Sequence, residues 1–592
     1  MQRLLLWLSL ICSSLFVKAQ QNWISGAIQD AITHQPIADV RISSVGDSTK
    51  TTTNQYGLFR LAVSTSTRQL KIEHPGYHST VVNLGTYNRL SIALEPLPQT
   101  AASNDDAISK AKAKARLARG INPNYGNVGM GTPVFFNETY GKIFENKFIQ
   151  TNTVPTSSFS VDVDRAAYSN VRRFIKLKEN VPPDAVRIEE MVNYFSYNFI
   201  PPRNDAIFAV YGNYTTCPWR PENKLFQIAI RGKQIPTDSL PASNLVLLID
   251  VSGSMGSPNK LPLLQAAARV LINNLRPKDK LAIVTYAGTP TIVLKSTTGD
   301  QKEKLFNAVD YLSARGATAG ESAINCAYQV AEDNYIPGGN NRVILATDGD
   351  FNVGQTSDRD MEDLIHWKKE TGVYLTCLGF GMHDYKDSKL EGLASKGNGN
   401  FAYIDNLEEA NKVFAREFGS TLFTVAKDVR AEVRFNPQYI KSYRLIGYEN
   451  KVVKEDLREG EKQSGGIVGA GHSVVAMYEI EPQPGTPPGL LNNIAAIDMQ
   501  YRTPESNVLQ QMHHDFNLPL ISFDESPDDF QFAAGVALWG MLLRNSSHRG
   551  TGNYDMVVEI AKKALGKDTE GYRNEFIKLV KVCKKQIPIT QK

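Results

Sequence analysis

The middle of the chain, from residue 243 to residue 423, alternates continuous apolar runs with helical patterns. A run that is apolar throughout, rather than at every second position, is typical of a strand in a parallel sheet that is covered on both faces. We predict strands at Leu245–Asp250, Leu281–Ala287, Ile292–Lys295, Arg342–Thr347, Val373–Gly379 and Asn400–Ile404, and helices at Leu261–Leu275, Glu321–Asn334 and Met361–Thr371. Because strands and helices alternate, we expect a doubly wound α/β domain with a mainly parallel sheet.

Shorter, alternating runs, such as Val40–Ser43 and Leu58–Val63, occupy residues 22–98 and are separated by turn residues. This pattern predicts a small β-sandwich. Residues 99–137 change to a polar composition that is rich in lysine and alanine. Such a stretch buries too little apolar surface to fold alone, so we expect a linker there.

Two regions flank the α/β domain. Residues 138–242 predict a short strand followed by two helices, whereas residues 424–592 are rich in strands and then helical from Asp528 to Gln586. Because strands occur on both sides of the α/β domain, we hypothesise that the flanks pair into one β-rich body with that domain inserted. The expected fold class is a multidomain α/β plus β protein.

The composition is that of an ordinary globular protein. The 592 residues are 42% hydrophobic and 21% charged, which leaves room for about four domains of ~150 residues. The net charge of +4 is too small for this length to indicate nucleic acid or an anionic membrane as a partner. The longest internal apolar candidate, Phe532–Leu543, is shorter than the ~20 residues of a membrane span, so we predict no transmembrane segment.

The first residues, Met1–Ala19, predict a secretory signal peptide. Arg3 precedes an apolar stretch at Leu4–Phe16, and small residues stand before the predicted cleavage near Ala19. We therefore expect an exported protein, either periplasmic or associated with the outer membrane or the cell surface.

Four cysteines remain after this cleavage, in a compartment that can oxidise thiols. Cys326 lies in a predicted helix and Cys377 in a predicted strand, so we expect free thiols at both. A disulfide between Cys217 and Cys583 stays open as an alternative.

Oxygen-bearing side chains gather where the predicted strands of the α/β domain end. In open α/β sheets, ligands bind outside the carboxyl ends of the strands. Carboxylate and hydroxyl oxygens without histidine or cysteine suit Mg²⁺, Mn²⁺ or Ca²⁺ rather than zinc. The candidate metal ligands are Asp250, Ser252, Ser254, Thr318 and Asp348. For the first three residues alone, capping of a strand-to-helix turn is the alternative interpretation.

A second candidate cation site is weaker. Asp162 and Asp164 lie on one face of a predicted strand and could ligate a cation, although capping and solvation explain them more simply.

The spacing Asp250-x-Ser252-x-Ser254, followed by Thr318 and Asp348, resembles the metal-ion-dependent adhesion site of the von Willebrand factor type A (VWA) domain. The resemblance implies a Rossmann-like fold and hydroxyl ligands at the two serines and the threonine. It further implies that the aspartates bind the metal directly or through water, and that an acidic residue of a protein partner fills the open position.

Other segments resemble regions of known families. Residues 22–98 resemble the carboxypeptidase regulatory-like domain through Gly26, Asp30, Pro36, Val40, Thr53, Gly57, Phe59 and Gly76-Tyr77. The flanks resemble the region before the VWA domain, and the C-terminal domain of unknown function, in one bacterial family. The matching motifs are Phe159–Asp164, Arg187–Met191, Arg444–Asn450, Gly469–His472 and Phe532–Ala534.

Three functions compete. The first is a divalent-cation-dependent protein-binding (adhesion or assembly) protein of the bacterial cell envelope. The second is a scaffold whose cation site is closed by an internal carboxylate, Glu321 or Asp350. The third is a metal-dependent hydrolase, but the sequence contains no Gly-x-Ser-x-Gly, His-Glu-x-x-His or phosphate-loop motif. We therefore predict no catalytic residue.

Overall fold

The structure is a computed structural model. It describes residues 22–31, 37–46, 49–53, 57–64, 67–84, 89–97, 138–236, 239–315, 321–349, 358–382, 386–416, 423–449, 465–486, 489–504, 506 and 508–586. The predicted signal peptide at 1–19 and the predicted linker at 99–137 lie outside these ranges. The chain divides into two compact units between residues 133 and 134.

The first unit consists of two small β-sheets. Its strands are β1 (Asn22–Asp30), β2 (Arg41–Ser44), β3 (Lys50–Thr52), β4 (Leu58–Val63), β5 (Gln69–Glu73), β6 (Thr80–Asn83) and β7 (Arg89–Leu94). The sheet orders are β4-β1-β7 and β3-β2-β5-β6. In β5, Leu70 and Ile72 are buried while their neighbours are not, as a strand with one covered face requires. Ile28 of β1 and Ile42 of β2 join the same apolar core, so both sheets share one interior.

The second unit contains the rest of the described chain. Its strands are β8 (Ile149–Gln150), β9 (Thr156–Phe159), β10 (Phe208–Thr216), β11 (Lys224–Gly232), β12 (Ser243–Asp250), β13 (Lys280–Ala287), β14 (Thr289–Thr298), β15 (Asn340–Thr347), β16 (Tyr374–Phe380), β17 (Phe401–Ile404), β18 (Thr424–Phe435), β19 (Ile440–Ile446), β20 (Gly466–Gly469), β21 (Ser473–Pro482), β22 (Leu490–Arg502) and β23 (Gln510–Pro519). Its described α-helices are α1 (Ala166–Leu177), α2 (Ile188–Asn193), α3 (Leu261–Asn274), α4 (Lys302–Asp310), α5 (Glu321–Asp333), α6 (Asp358–Lys369), α7 (Asp387–Lys396), α8 (Leu407–Asn411), α9 (Asp528–Leu543), α10 (Tyr554–Lys563) and α11 (Tyr572–Gln586).

A six-stranded sheet forms the α/β domain, in the order β14-β13-β12-β15-β16-β17. The pairs from β13 through β17 are parallel, and only β14 joins its neighbour antiparallel. All residues of β12 and β15 are buried, which explains their continuous apolar runs. The predicted mainly parallel sheet is confirmed. Helices α4 and α7 were missing from the sequence prediction because each buries few apolar side chains.

The two flanks of the α/β domain build one β-rich body. Strands β10 and β11 from the first flank join β21, β19 and β8 in one sheet, with β11 directly beside β21. In a second sheet β9 pairs with β18, which also pairs with β20 and β22. The hypothesis that the flanks pair across the inserted domain is confirmed. Along β11, Phe226 faces the core between the sheets, whereas Leu225 faces the helical core.

Helix α9 is the centre of that helical core. Every residue from Phe530 to Leu543 is buried, so the most apolar internal stretch of the sequence is packed within the protein. Gly540 allows α2 to approach closely, because a Cβ atom there would lie 2.8 Å from Ile188 Cγ1. Among the described residues, no helix combines the length and the apolar character that a membrane crossing requires.

Two side chains, one in α1 and one just before it, accept from or donate to backbone groups at the outer edge of the six-stranded sheet. The backbone amide of Phe401 in β17 donates to Asp164 Oδ1 at 2.8 Å, and Ser169 Oγ donates to the carbonyl oxygen of Tyr403 at 2.8 Å. An exposed strand edge would present unpaired backbone groups. The first flank therefore closes this edge of the α/β domain.

Arg172 of α1 ties three parts of this unit together. Its side chain is fully buried, and its guanidinium donates to Asp405 at 2.8 Å and to Glu409 at 2.7 Å, both just beyond β17. The same group donates to Glu575 of α11 at 3.1 Å. One buried cation thus links the first flank, the α/β domain and the C-terminal helices.

The four described cysteines are all free thiols. Cys217 and Cys583 are both buried, and burial raises the pKa of each to about 12. The alternative of a bridge between these two cysteines is therefore wrong, whereas the expected free thiols at Cys326 and Cys377 are confirmed.

We predict that Arg172→Met destabilises the protein by about 3–5 kcal/mol, because it leaves buried carboxylates without their cation. The matched control is Arg434→Met, which removes a half-exposed arginine 3.5 Å from Asp498 and should cost about 1 kcal/mol or less. Urea unfolding followed by circular dichroism measures both variants. Equal stabilities for the two would contradict the assigned role of Arg172.

Candidate functional site

The candidate site lies where β12 and β15 end side by side. Asp250 is the last residue of β12, and Asp348 directly follows β15. These strands are parallel neighbours in register, with Ile249 opposite Ala346. Their carboxyl ends therefore meet at one edge of the sheet, which brings the two aspartates together from positions 98 residues apart in the sequence.

Asp250 is fully buried and held by three donors. Its Oδ1 accepts from the backbone amide of Ser252 at 2.8 Å. Its Oδ2 accepts from the hydroxyls of Tyr286 at 3.3 Å and Thr347 at 3.2 Å. Burial raises the pKa of Asp250 to about 6, and the negative charge of Asp348 adds to this shift while the hydrogen bonds from Ser252 and Thr347 oppose it.

The hydroxyls of Ser252 and Ser254 lie 3.0 Å apart. Adjacent ligands of an octahedral Mg²⁺ ion, each at about 2.1 Å from the metal, are about 3.0 Å apart. Ser252 is buried but Ser254 is exposed, so the site is closed on the aspartate side and open to solvent on the other. The donor set of two carboxylates and two hydroxyls fits a hard divalent cation.

Lys260 provides a positive charge at the same site. Its Nζ donates to Asp348 Oδ2 at 2.8 Å, and both side chains are buried. The stem of this lysine passes over Gly381, which follows β16. Asp348 is 1% exposed, so water cannot solvate its charge. The ion pair with Lys260 balances that charge instead.

The remaining predicted ligands are not described. Thr318 and Asp350 lie outside the described residues, and Glu321 begins α5 with its side chain outside them. Lys260 and Thr347 were not among the residues predicted from the sequence. Thr347 could have been found as the hydroxyl next to Asp348, whereas Lys260 carries no signal beyond its position at the start of a helix.

The second candidate cation site has a different set of carboxylates from the one that the sequence suggested. Asp164 approaches Glu190 and Glu391, with one carboxylate oxygen from each within 4.8 Å of the others, and Asp162 does not belong to this group. The buried guanidinium of Arg187 is bonded to two of the three, at 3.1 Å from Glu190 and 2.9 Å from Glu391. This cluster therefore already has a cation, and burial raises the pKa of Glu190 to about 8.

We predict that the metal-free protein loses stability relative to Asp250→Asn as the pH rises. The pKa of Asp250 is about 6 in the folded protein and 3.8 when unperturbed, so the folded state holds the proton more tightly. The penalty is absent below about pH 4, grows through pH 6, and totals about 3 kcal/mol. Urea unfolding of both proteins in chelator between pH 4 and pH 7.5 measures the difference. A difference that does not change with pH would be inconsistent with this burial.

Comparison with known protein families finds matches to three regions of the chain. Residues 244–416 match the von Willebrand factor type A domain, and residues 134–227 match a family described as von Willebrand factor. Residues 420–586 match the C-terminal region of the uncharacterized protein YfbK. A solved VWA protein from Catenulispora acidiphila has 16% sequence identity and a TM-score of 0.38, over 65% of this chain and 91% of that one.

Relatives are found among bacterial proteins. The uncharacterized protein sll0103 of Synechocystis sp. is 30% identical over 197 residues, which are 32% of this chain and 44% of that protein. The uncharacterized protein YfbK of Escherichia coli (strain K12) is 36% identical over 475 residues, which are 76% of this chain and 82% of that protein. The chain therefore belongs to the YfbK family of VWA domain proteins.

Proposed function

We propose that the protein is a divalent-cation-dependent protein-binding protein of the bacterial cell envelope, acting in adhesion or assembly. The observation that carries this proposal is the pair of serine hydroxyls, 3.0 Å apart at the carboxyl end of β12 and next to two buried aspartates. VWA domains commonly mediate protein interactions, which supports binding rather than catalysis.

Mg²⁺, with Mn²⁺ or Ca²⁺ as alternatives, would be held by the described oxygens of Asp250, Ser252, Ser254 and Asp348, and by Thr318 as the sequence implies. When bound, the ion supplies a positive charge that attracts an acidic side chain. The hydrogen bonds to Asp250 fix its carboxylate before any ion arrives. Exposed Ser254 leaves the solvent side accessible to a partner's aspartate or glutamate.

The location and the N-terminal unit belong to the same proposal. The signal-like residues Met1–Ala19 support export, with the mature chain in the periplasm or peripherally held at the outer membrane or cell surface. The first unit, whose sequence resembles a carboxypeptidase regulatory-like domain, would dock or space the protein. We propose no enzymatic activity, no nucleic-acid partner and no organic cofactor.

A scaffold is the second candidate, now with Lys260 in the place of a metal, whereas the sequence suggested a bound cation closed by an internal carboxylate, Glu321 or Asp350. The ion pair between Lys260 and Asp348 favours it, because a lysine already neutralises one carboxylate. In that case no metal would bind, and the fold would not depend on one. Metal binding by the purified protein separates the two candidates.

We predict that Ser252→Ala reduces Mn²⁺ and Mg²⁺ affinity at least tenfold, because it removes a hydroxyl ligand while the backbone amide of residue 252 still holds Asp250. The matched control is Ser257→Ala, an exposed serine three residues beyond Ser254, which should bind metal like the wild type. Isothermal titration calorimetry measures both. Equal binding by the two variants would refute the assigned ligands, and no binding by any of them would favour the scaffold.

The same pair of variants tests partner binding. Wild-type protein and the Ser257→Ala control should capture the same protein from bacterial envelope extract in Mg²⁺, and should lose it in chelator. Ser252→Ala should capture none under either condition. Capture that survives chelator and Ser252→Ala would show binding through another surface and would overturn the metal-dependent function.

We also predict that the mature protein begins just after Ala19, because the apolar stretch before it would direct export and then be removed. Cell fractionation followed by N-terminal sequencing of the recovered protein measures both location and cleavage. A full-length protein that starts at Met1 and stays in the cytoplasm would contradict the proposed location.

A further inference from the structure

Lys260 brings a buried positive charge to the carboxyl end of β15. Its Nζ lies 2.8 Å from Asp348 Oδ2, and only 7% of the residue is exposed. Lysine is rarely buried, and where it is buried its charge is paired. The side chain therefore holds a fixed position within the candidate site.

The path of this side chain is also fixed. Lys260 stands at the start of α3, and its stem crosses the backbone of Gly381 to reach Asp348. A Cβ atom on Gly381 would lie 2.5 Å from Lys260 Cε and 2.6 Å from Cγ. Gly381 has a φ of +80°, and its carbonyl oxygen accepts a hydrogen bond from the hydroxyl of Tyr403. A glycine in a tethered loop thus leaves the space that the lysine stem occupies.

We infer that Lys260 is an internal counter-ion that competes with the divalent cation for Asp348. This inference rests on the proposed metal site. Two neighbouring buried carboxylates need positive charge, and an ammonium group and a dication at the same carboxylate repel each other. The site therefore exchanges one cation for the other, and metal binding requires Lys260 to release Asp348.

This exchange determines under which conditions the site binds a divalent cation. The lysine lowers the affinity for the cation alone, because the ion must displace an existing ion pair. A partner's carboxylate adds a ligand to the metal and restores the balance of charge. Cation and partner consequently bind together more tightly than either binds alone, so the metal-free protein stays stable until a partner is present.

The test uses Mn²⁺ alone as the probe, with the full-length protein. Lys260→Met removes the charge. Lys260→Gln also removes the charge but keeps a polar group, at the end of a stem that can still cross Gly381. The control, Lys304→Met, makes the same change of charge at an exposed position in α4. Calorimetry measures Mn²⁺ affinity, and thermal unfolding measures stability in chelator and in saturating Mn²⁺.

Both Lys260 variants should bind Mn²⁺ at least tenfold more tightly than the wild type, whereas Lys304→Met should not change affinity. In chelator, both Lys260 variants should also have a lower melting temperature than the wild type. Saturating Mn²⁺ should restore their stability, and this holds even for a variant that folds only when the metal is present. Unchanged or weaker Mn²⁺ binding in both Lys260 variants would overturn the inference. Wild type and Ser252→Ala binding Mn²⁺ equally would instead refute the proposed metal site itself.

Discussion

The need to neutralise buried carboxylates shapes the whole of the larger unit. Burying an ionised carboxylate is costly unless a cation and hydrogen bonds accompany it. Arg172 and Arg187 meet this need between the first flank and the α/β domain, and Arg444 meets it for Glu479 within the β-rich body, at 2.7 Å. Because the partners of each arginine come from distant segments, every such cluster also fixes how those segments pack.

At the candidate cation site the same need is met by a lysine, Lys260, which we propose a divalent cation can replace. The Arg172 guanidinium is fully buried and bonded to three carboxylates, so that cation is a permanent part of the fold. At Asp348 the cation is the ammonium group of Lys260, and the neighbouring Ser254 is open to solvent. The contrast between a buried cluster and a partly open one distinguishes a structural ion pair from the proposed binding site within a single fold.

The sequence predicts the sheet and the aspartates of the site well, because both depend on local patterns. A continuous apolar run such as Leu245–Ile249 defines a buried strand, and parallel strands must end at a common edge. Side-chain partners separated widely in sequence are a different matter. Lys260 reaches Asp348 across the end of a third strand, and Arg172 reaches a carboxylate 403 residues away. The direction in which such a side chain points depends on how the surrounding elements pack, and a single sequence does not show that packing. The neighbours of Asp164, which are Glu190 and Glu391, could not be predicted for the same reason.

The pairing of β11 with β21 sets an order of events during folding. Gln227 and Met477 lie opposite each other, although 250 residues separate them in the chain. Contacts of such long range form late, because a large loop must first be closed. Within the described part of the chain, the strands of the inserted α/β sheet pair only with one another. This sheet can therefore form first, and the loop that β11 and β21 must close then shortens to the distance between the two ends of the α/β domain. The β-rich body would then be completed last, when β21 pairs with the free edge of β11. The folded α/β domain makes this possible because it brings the two strands close together.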